Sequence, residues 1–386
     1  MRVSGFVVME DAEVFDFAVI GGGIAGASVA YQLAAHARVV VLEREEQPGY
    51  HSTGRSAAMF MESYGTPQIQ ALTRASRAFY ENPPEGFVDH PLLTPRGCLY
   101  LARVGQEALL QQMYEEASRA ASNVALISAE EALSRVPCLR ADAWIGGLFE
   151  PEARDLDVHG LHQGFLKGMR QQGGVLRCRA EVTAAGRVAD CWVLTLADGQ
   201  TVRAKQVVNA AGAWADHVAA HFGAQPIGLE PCRRTAFTFA APEGVDCTHW
   251  PTVSDLEVQF YFKPDAGQLL GSPANTDPVS PHDVMPEELD VATGIYLIEQ
   301  ATTLTIRRPR HTWAGLRSFV PDGDLVVGRD DAVPGFFWLA AQGGYGIQSA
   351  AGVSELAAAL LLNQPVSEAL LAHGVQADLI APSRLR

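Results

Sequence analysis

The stretch Phe17-Ala18-Val19-Ile20-Gly21-Gly22-Gly23-Ile24-Ala25-Gly26 decides the fold, and its reading extends to Glu43. A short apolar run ahead of a glycine cluster reads as a buried strand entering a tight turn. An Ala-rich amphipathic stretch follows to about Ala35, and a second apolar run, Val39-Val40-Val41-Leu42, ends at Glu43. The order is strand, glycine turn, helix, strand, with an acidic residue 22 positions after Gly21. Each glycine has a mechanical reason: Gly21 permits the turn, Gly23 lets the backbone approach a pyrophosphate, and Gly26 lets the helix pack close on the strand. The helix start at Ile24 and Ala25 offers N–H groups and a partial positive charge to phosphate. A G-x-G-x-x-G string alone also occurs in ordinary turns, but the flanking strand and helix, with Glu43 placed to accept hydrogen bonds from a ribose, point to dinucleotide binding. Glu43 suits the unphosphorylated ribose of FAD or NAD equally.

Working outward, Arg44 to Ala58 (REEQPGYHSTGRSAA) is polar and glycine-punctuated, suited to lie along a long cofactor through Arg44, Ser52, Thr53, Arg55, Ser56, Ala57 and Ala58. A nicotinamide domain more usually continues with another βαβ unit here. Around Asp198-Gly199, the run WVLTLADGQTV predicts a hairpin within a three-stranded meander. The strand-like Gln206-Val207-Val208-Asn209 then leads into Ala210-Ala211-Gly212 and a helical stretch, a second strand-to-helix turn. A third glycine turn, Gln342-Gly343-Gly344-Tyr345-Gly346, follows Phe336-Phe337-Trp338-Leu339 and precedes a helix to about Leu362.

Composition bounds the remaining possibilities. With 29 Lys+Arg against 44 Asp+Glu the formal charge is −15, and no basic run is present, which argues against nucleic acid as a partner. The six cysteines form no C-x-x-C pair, so neither a zinc site nor a redox dithiol is expected. Reduced thiols fit a cytoplasmic protein, with peripheral contact to the inner membrane as the alternative. The N-terminal residues, whether translation starts at Met1 or Met9, carry no h-region for export. No apolar run approaches the ~18 residues of an integral membrane segment.

At this point the residues resemble the D-amino-acid oxidase superfamily of FAD enzymes, and most closely the bacterial D-arginine dehydrogenases. The matching strings include G-Y-H-S-T-G-R-S-A-A (Gly49 to Ala58), Y-G-T-P-Q (Tyr64 to Gln68), N-A-A-G-A-W (Asn209 to Trp214), G-S-P-A-N (Gly271 to Asn275), H-T-W-A-G-L-R-S-F (His311 to Phe319) and A-A-Q-G-G-Y-G-I-Q (Ala340 to Gln348). The resemblance implies an α/β, two-domain flavoprotein: a Rossmann-like FAD-binding domain with a mostly antiparallel-sheet substrate domain. The expected division is 12–88 with 147–228 and 314–386 for FAD, and 89–146 with 229–313 for substrate. It implies non-covalent FAD, with Val182, Ala211, Gly212, Trp214, Gly343, Gly344, Tyr345, Gly346, Ile347 and Gln348 completing the cofactor contacts. It further implies hydride transfer from the substrate Cα to flavin N5, giving an imino acid that water hydrolyses to a 2-oxo acid and ammonia.

By motif match, Arg234 and Arg317 correspond to the pair that grips the substrate carboxylate, a role suited to the planar guanidinium fork. Arg233 is an equally placed neighbour of Arg234, and ordinary surface ion pairs are the plain alternative for both. Tyr64 and Tyr261 match two tyrosines that close over the substrate; strand alternation would point Tyr261 opposite to Phe260 and Phe262. Gly344 and the following helix start would place N–H donors where charge develops on the reduced flavin, and Gly315 would offer its carbonyl to the substrate amine. No general base is assigned. His51 is the nearest motif histidine, with packing beside the cofactor as its alternative.

Two departures bear on the substrate. D-arginine dehydrogenases carry a glutamate where this chain has Cys98 and a histidine where it has Met59. Without that carboxylate a guanidinium loses a partner worth roughly 1.5 to 3 kcal/mol, about 10- to 150-fold. Thr252 and Ser254 replace larger apolar pocket residues. Glu62 is either a solvated loop carboxylate or a substitute acid. The expectation is a D-amino-acid dehydrogenase shifted toward neutral or apolar substrates, monomeric or homodimeric, passing electrons to a quinone or other carrier rather than oxygen. A retained basic preference, a related glycine, sarcosine or D-proline flavin oxidase, a 2-hydroxy-acid enzyme and a non-catalytic FAD-binding protein are the alternatives.

Overall fold

Four consecutive apolar residues leave no polar face for water, and strand Val39–Leu42 is buried on both sides. It pairs in parallel with strand Val14–Ile20, which pairs in parallel with Thr201–Asn209 on its other edge. The computed structural model describes residues 13–386; the N-terminal readings, including the choice of Met1 or Met9, lie outside the described residues. Val175–Arg177 extends the parallel sheet beyond Val39–Leu42, and Phe336–Ala340 pairs with the C-terminal half of Thr201–Asn209. Val182–Val188 and Cys191–Leu196 run antiparallel into Thr201–Asn209, the expected meander, with Gly199 at φ +84° in its turn.

Helix Ile24–Ala34 packs on this sheet through Val29, Ala30 and Leu33, all fully buried. Its small residues let it approach: a Cβ on Gly26 would stand 1.9 Å from the Gly21 carbonyl oxygen. Helices Pro67–Glu81, Val158–Gln171 and Ala350–Leu361 complete that layer, and the meander covers the other face with helix Ala215–His221.

A second, nine-stranded sheet is mostly antiparallel, and its order juxtaposes strands far apart in the chain. His311–Phe319 pairs with Glu230–Phe239; Tyr261–Asp265, Thr252–Asp255, Cys98–Ala102 and Gly146–Glu150 follow beyond Gln268–Ser272. One face packs Phe237, Val253, Phe260 and Phe262 against helices Ala129–Arg135 and Glu288–Ala301. The opposite face looks toward the first sheet. The architecture is the two-domain mixed α/β arrangement expected for a Rossmann-like flavoprotein. The expected divisions at 146/147 and 313/314 fall inside strands Gly146–Glu150 and His311–Phe319, both of which belong whole to the nine-stranded sheet.

Candidate active site

Strand Val14–Ile20 ends at Gly21, which takes φ +103°, and a Cβ there would meet the Ala210 carbonyl oxygen at 2.4 Å. The turn therefore lies directly against the second strand-to-helix turn, at Ala210 to Gly212. The Gly22 N–H donates to Glu43 Oε2 at 2.7 Å and the Glu45 N–H to Glu43 Oε1 at 2.9 Å. These bonds fix the buried carboxylate and leave its other lone pairs for a ligand. A cavity of about 1000 Å³ opens here, lined among others by Gly21, Gly23, Glu43, Arg44, Val182 and Trp214. The Arg44 guanidinium lies 4.8 Å from the Trp214 ring centroid, and the His51 ring 4.6 Å from it on a side chain that also meets Glu45 at 2.9 Å.

The fit to a dinucleotide rests on what the chain itself does not need. Gly21 and Gly26 are forced by backbone contacts, whereas a Cβ on Gly23 would meet only the Thr53 hydroxyl oxygen, at 3.2 Å. The room at Gly23 thus serves an outside group. The same hydroxyl accepts from the Ile24 N–H at 3.0 Å, capping the helix from the Arg44 to Ala58 segment and keeping its own hydrogen to donate. Toward the second sheet, a cavity of about 620 Å³ runs past Ser52, Ser56, Ala57, Gly315 and Gly343 to Ile347. The amide nitrogen of Gln342, a residue on its wall, is buried with no partner among the described residues, a donor waiting for an acceptor.

The helix after the third glycine turn begins only at Ala350, later than the spacing suggests. Residues 343–349 form successive turns instead, with the Tyr345 N–H on the Gln342 carbonyl at 2.9 Å and the Ser349 N–H on the Tyr345 carbonyl at 3.1 Å. Gly343 at φ +51° sets this path. The N–H groups near Gly344 and Gly346 are therefore turn donors rather than a helix start.

The substrate side follows from strand register. Arg234 lies opposite Gly315, and Arg317 opposite Cys232, on paired antiparallel strands. Arg234 and Arg317 are thus diagonal neighbours on one face. Both enter a cavity of about 690 Å³, which continues into the 620 Å³ one through Ser56, Ala57, Arg234, Tyr261, Arg317 and Gly344. Arg317 Nη1 donates to the Tyr64 phenol at 3.3 Å, and Arg234 Nε donates to the Asn275 carbonyl at 2.6 Å. Neither guanidinium meets a carboxylate among the described residues. Burial, and then the Arg317 cation beside it, push Arg234 down to about 10. A Cβ on Gly344 would stand 2.8 Å from Arg317 Nη1, so the glycine makes room for that guanidinium.

Arg233, on the opposite face, is held by Asp277, Glu287 and Asp290, with Nε 2.8 Å from Asp290 Oδ2. Tyr261 lines the cavity while Phe260 and Phe262 are fully buried in the core. At the far wall, Cys98 and Thr252 are cross-strand neighbours. The Thr252 hydroxyl reaches Met59 Sδ at 3.3 Å, and the Ser254 hydroxyl donates to the Phe260 carbonyl at 2.7 Å. Burial pushes the Cys98 thiol far up, leaving it neutral.

Several side chains named from the sequence are engaged by the protein. Arg55 bonds the carbonyls of Val284 and Ala314 at 3.0 and 3.1 Å, and Asp283. Gln348 donates to the Tyr64 carbonyl at 3.2 Å and to Thr73 at 3.0 Å. The Tyr345 ring packs behind Tyr64 at 4.9 Å, and Ala25 packs against the helix-side core. Glu62 is paired with Arg77 at 2.8 Å and does not face the cavity.

The sequence reading missed Tyr100 on the cavity wall, although it follows Cys98 by two on a strand and so shares its face. It also missed His162, whose Nε2–H donates to the Gly22 carbonyl at 2.8 Å and whose ring would meet a Cβ on Gly49 at 2.9 Å. Burial pushes His162 down, keeping it neutral in that role. No local signal connects it to a turn 140 residues earlier.

The model of the family described as "DAO: FAD dependent oxidoreductase" matches residues 16–360. FAD-dependent oxidoreductase domain-containing protein 1 of Bos taurus is 27% identical over 398 residues, covering 90% of this chain and 81% of that protein. Mitochondrial dimethylglycine dehydrogenase of Rattus norvegicus is 25% identical, covering 87% of this chain and 42% of that protein. The crystal structure of L-proline dehydrogenase from P. horikoshii has a TM-score of 0.82 at 22% identity, covering 97% of this chain and 98% of the other, a likeness of fold.

Proposed function

We propose that this chain, which belongs to the DAO family of FAD dependent oxidoreductases and takes FAD as its cofactor, oxidises free D-amino acids with neutral or apolar side chains. The product is an imino acid that water hydrolyses to a 2-oxo acid and ammonia. One observation carries the reading: two neighbouring guanidiniums, Arg234 and Arg317, face a single cavity without a carboxylate partner among the described residues. A buried cation without a partner is costly, and a substrate carboxylate relieves that cost twice over.

Bound FAD supplies the two-electron acceptor, held without a covalent link along Gly21 to Gly26, Glu43 and the 342–347 turns. The protein's own groups bind and orient. Arg234 and Arg317 take the carboxylate, Tyr64 steadies Arg317, and Tyr261 flanks the site. Gly315 lines the wall opposite Arg234, and its carbonyl would be the acceptor for a substrate ammonium or amine. Among the described residues no His, Asp or Glu lines either of these two cavities, and in this reading the amine sheds its proton to solvent before the chemical step.

The far wall of Met59, Cys98, Thr252 and Tyr100 is neutral, and Glu62 is already paired with Arg77. A guanidinium side chain would find no anion there. An anaerobic flavin-bleaching screen over both enantiomers of a panel of amino acids tests cofactor, stereochemistry and side-chain preference together. The expected result is bleaching by D-leucine, D-methionine and D-phenylalanine, with kcat/KM for D-arginine no more than about tenfold above any of them. A D-arginine preference beyond that returns the enzyme to the D-arginine dehydrogenases. We further propose a quinone or other carrier as acceptor: peroxide forms slowly and an artificial acceptor speeds turnover, whereas equal rates in air contradict this.

A second reading is favoured by the names of two similar proteins, dimethylglycine dehydrogenase and L-proline dehydrogenase. Both names specify an N-substituted amino acid. Sarcosine or proline bleaching the flavin, with formaldehyde or a cyclic imine in place of ammonia, would select it.

A further inference from the structure

Strand Gly146–Glu150 lies beyond Cys98–Ala102, and the register sets Glu150 directly beside Cys98. Thr252, Cys98 and Glu150 therefore form a row on one face of the sheet. Thr252 and Cys98 line the substrate cavity, but Glu150 is 1% exposed and does not. It has no cationic partner among the described residues, an arrangement that is expensive unless the oxygens are otherwise satisfied.

Both oxygens go to one turn. Oε1 accepts the Glu62 N–H at 3.2 Å, and Oε2 accepts the Ser63 hydroxyl. The next residue is Tyr64, whose phenol accepts the one hydrogen bond that the Arg317 side chain makes among the described residues. The remaining holds on this turn come from neutral amides: Gln70 to the Ser63 and Gly65 carbonyls, and Gln348 to the Tyr64 carbonyl. Glu62 itself is drawn away toward Arg77.

Resting on the carboxylate role assigned to Arg317 above, we propose that Glu150 is a positioning residue: it holds the 62–64 turn from the sheet side and so keeps Tyr64, and through it the Arg317 guanidinium, aimed at the substrate carboxylate. It does not contact substrate. Two donors of one turn need two acceptors in a place water does not reach, and a carboxylate supplies them. A glutamine serves the same geometry, because its amide oxygen accepts from Glu62 and its NH2 group meets the Ser63 hydroxyl oxygen.

The test uses the FAD-loaded enzyme and the variants E150Q, E150L and S63A. Binding of propanoate, an unreactive carboxylate, is followed by perturbation of the flavin spectrum, and steady-state kinetics are measured with D-leucine and D-arginine. E150L is expected to raise the propanoate Kd and the D-leucine KM by about tenfold, with kcat within about threefold and flavin content unchanged. S63A shifts both by about threefold, and E150Q stays near wild type. An unchanged Kd in E150L overturns the proposal. So does an E150Q enzyme whose D-arginine to D-leucine ratio moves by about tenfold, which would make Glu150 an acid for the substrate side chain. Should E150L not fold, S63A decides: a weakened Kd supports the proposal and an unchanged one overturns it. The propanoate titration needs no turnover, so failure of every D-amino acid to reduce the flavin is a separate result.

Discussion

At the dinucleotide end of the cleft two glycine turns bring backbone to the cavity wall, at Gly21 and Gly23 and at Ala211 and Gly212, and the Glu43 carboxylate is itself fixed by N–H groups. At the substrate end nearly every polar group is a side chain, and the strands that carry Cys98, Arg234, Thr252, Tyr261 and Arg317 are neighbours only in the folded sheet. The first kind of site has no space for a Cβ at Gly21 or Gly26, and its free space at Gly23 is kept for a ligand. The second tolerates substitution in its scaffold but depends on register and on charges left unpaired. Changes at the glycines should therefore abolish the holoprotein, while changes at the arginines should leave a yellow, folded and inactive one.

The largest effect is expected at Gly26. The Gly26→Ala Cβ would stand 1.9 Å from the Gly21 carbonyl oxygen, a backbone atom that cannot swing aside, so little soluble holoprotein should form. Gly23→Ala sharpens the comparison. Its Cβ meets only the Thr53 hydroxyl oxygen at 3.2 Å, and the expected product is a folded chain with depleted flavin. The ratio of flavin to protein absorbance in soluble material checks both, and a Gly23→Ala protein with full flavin would break the assignment of that glycine to the cofactor.

Arg317→Met comes next. Flavin content should be unchanged while kcat/KM falls at least about 100-fold, since charge-assisted bonds to a carboxylate contribute roughly 1.5 to 3 kcal/mol each. A loss of less than about fivefold would remove Arg317 from the carboxylate site.

The smallest effect is one of stability. Burial, and then Arg317, push the Arg234 guanidinium down to about 10 in the folded chain, below the value of a free arginine. A base that holds its proton less firmly when folded carries a charge that opposes folding at every pH below that value. Arg234→Met should therefore raise the ligand-free Tm by roughly 1 to 3 °C while weakening propanoate binding. A lowered Tm would mean that Arg234 is a structural ion rather than a poised one.

The legible parts of the molecule were those set by neighbours in sequence. Val19 to Gly26 specifies a turn and a close helix because Gly21 takes φ +103° and Gly26 packs on the Gly21 carbonyl five residues before it, a contact within the motif itself. Alternation predicted the outward side chain of Tyr261 from its flanking phenylalanines and could equally have found Tyr100 from Cys98. The choice between Arg233 and Arg234 was beyond such reasoning. Both are arginines on one strand, and only the pairing of that strand with His311–Phe319 assigns one to the cavity and the other to Asp290. Glu62 reads as a loop acid until helix Pro67–Glu81 brings Arg77 to it. The late helix start at Ala350 was hidden because Gly343 turns the chain before the helical periodicity takes hold.

The sequence by itself determined the Rossmann-like turn, the dinucleotide cavity and the family, because a glycine turn between strand and helix is a local structure with a local cause. The tertiary structure alone decided which side chains share the substrate cavity, that His162 fastens the glycine loop, and that Glu150 sits behind Cys98. Those relations depend on strand order and register, and a shift of one residue would turn each side chain to the opposite face.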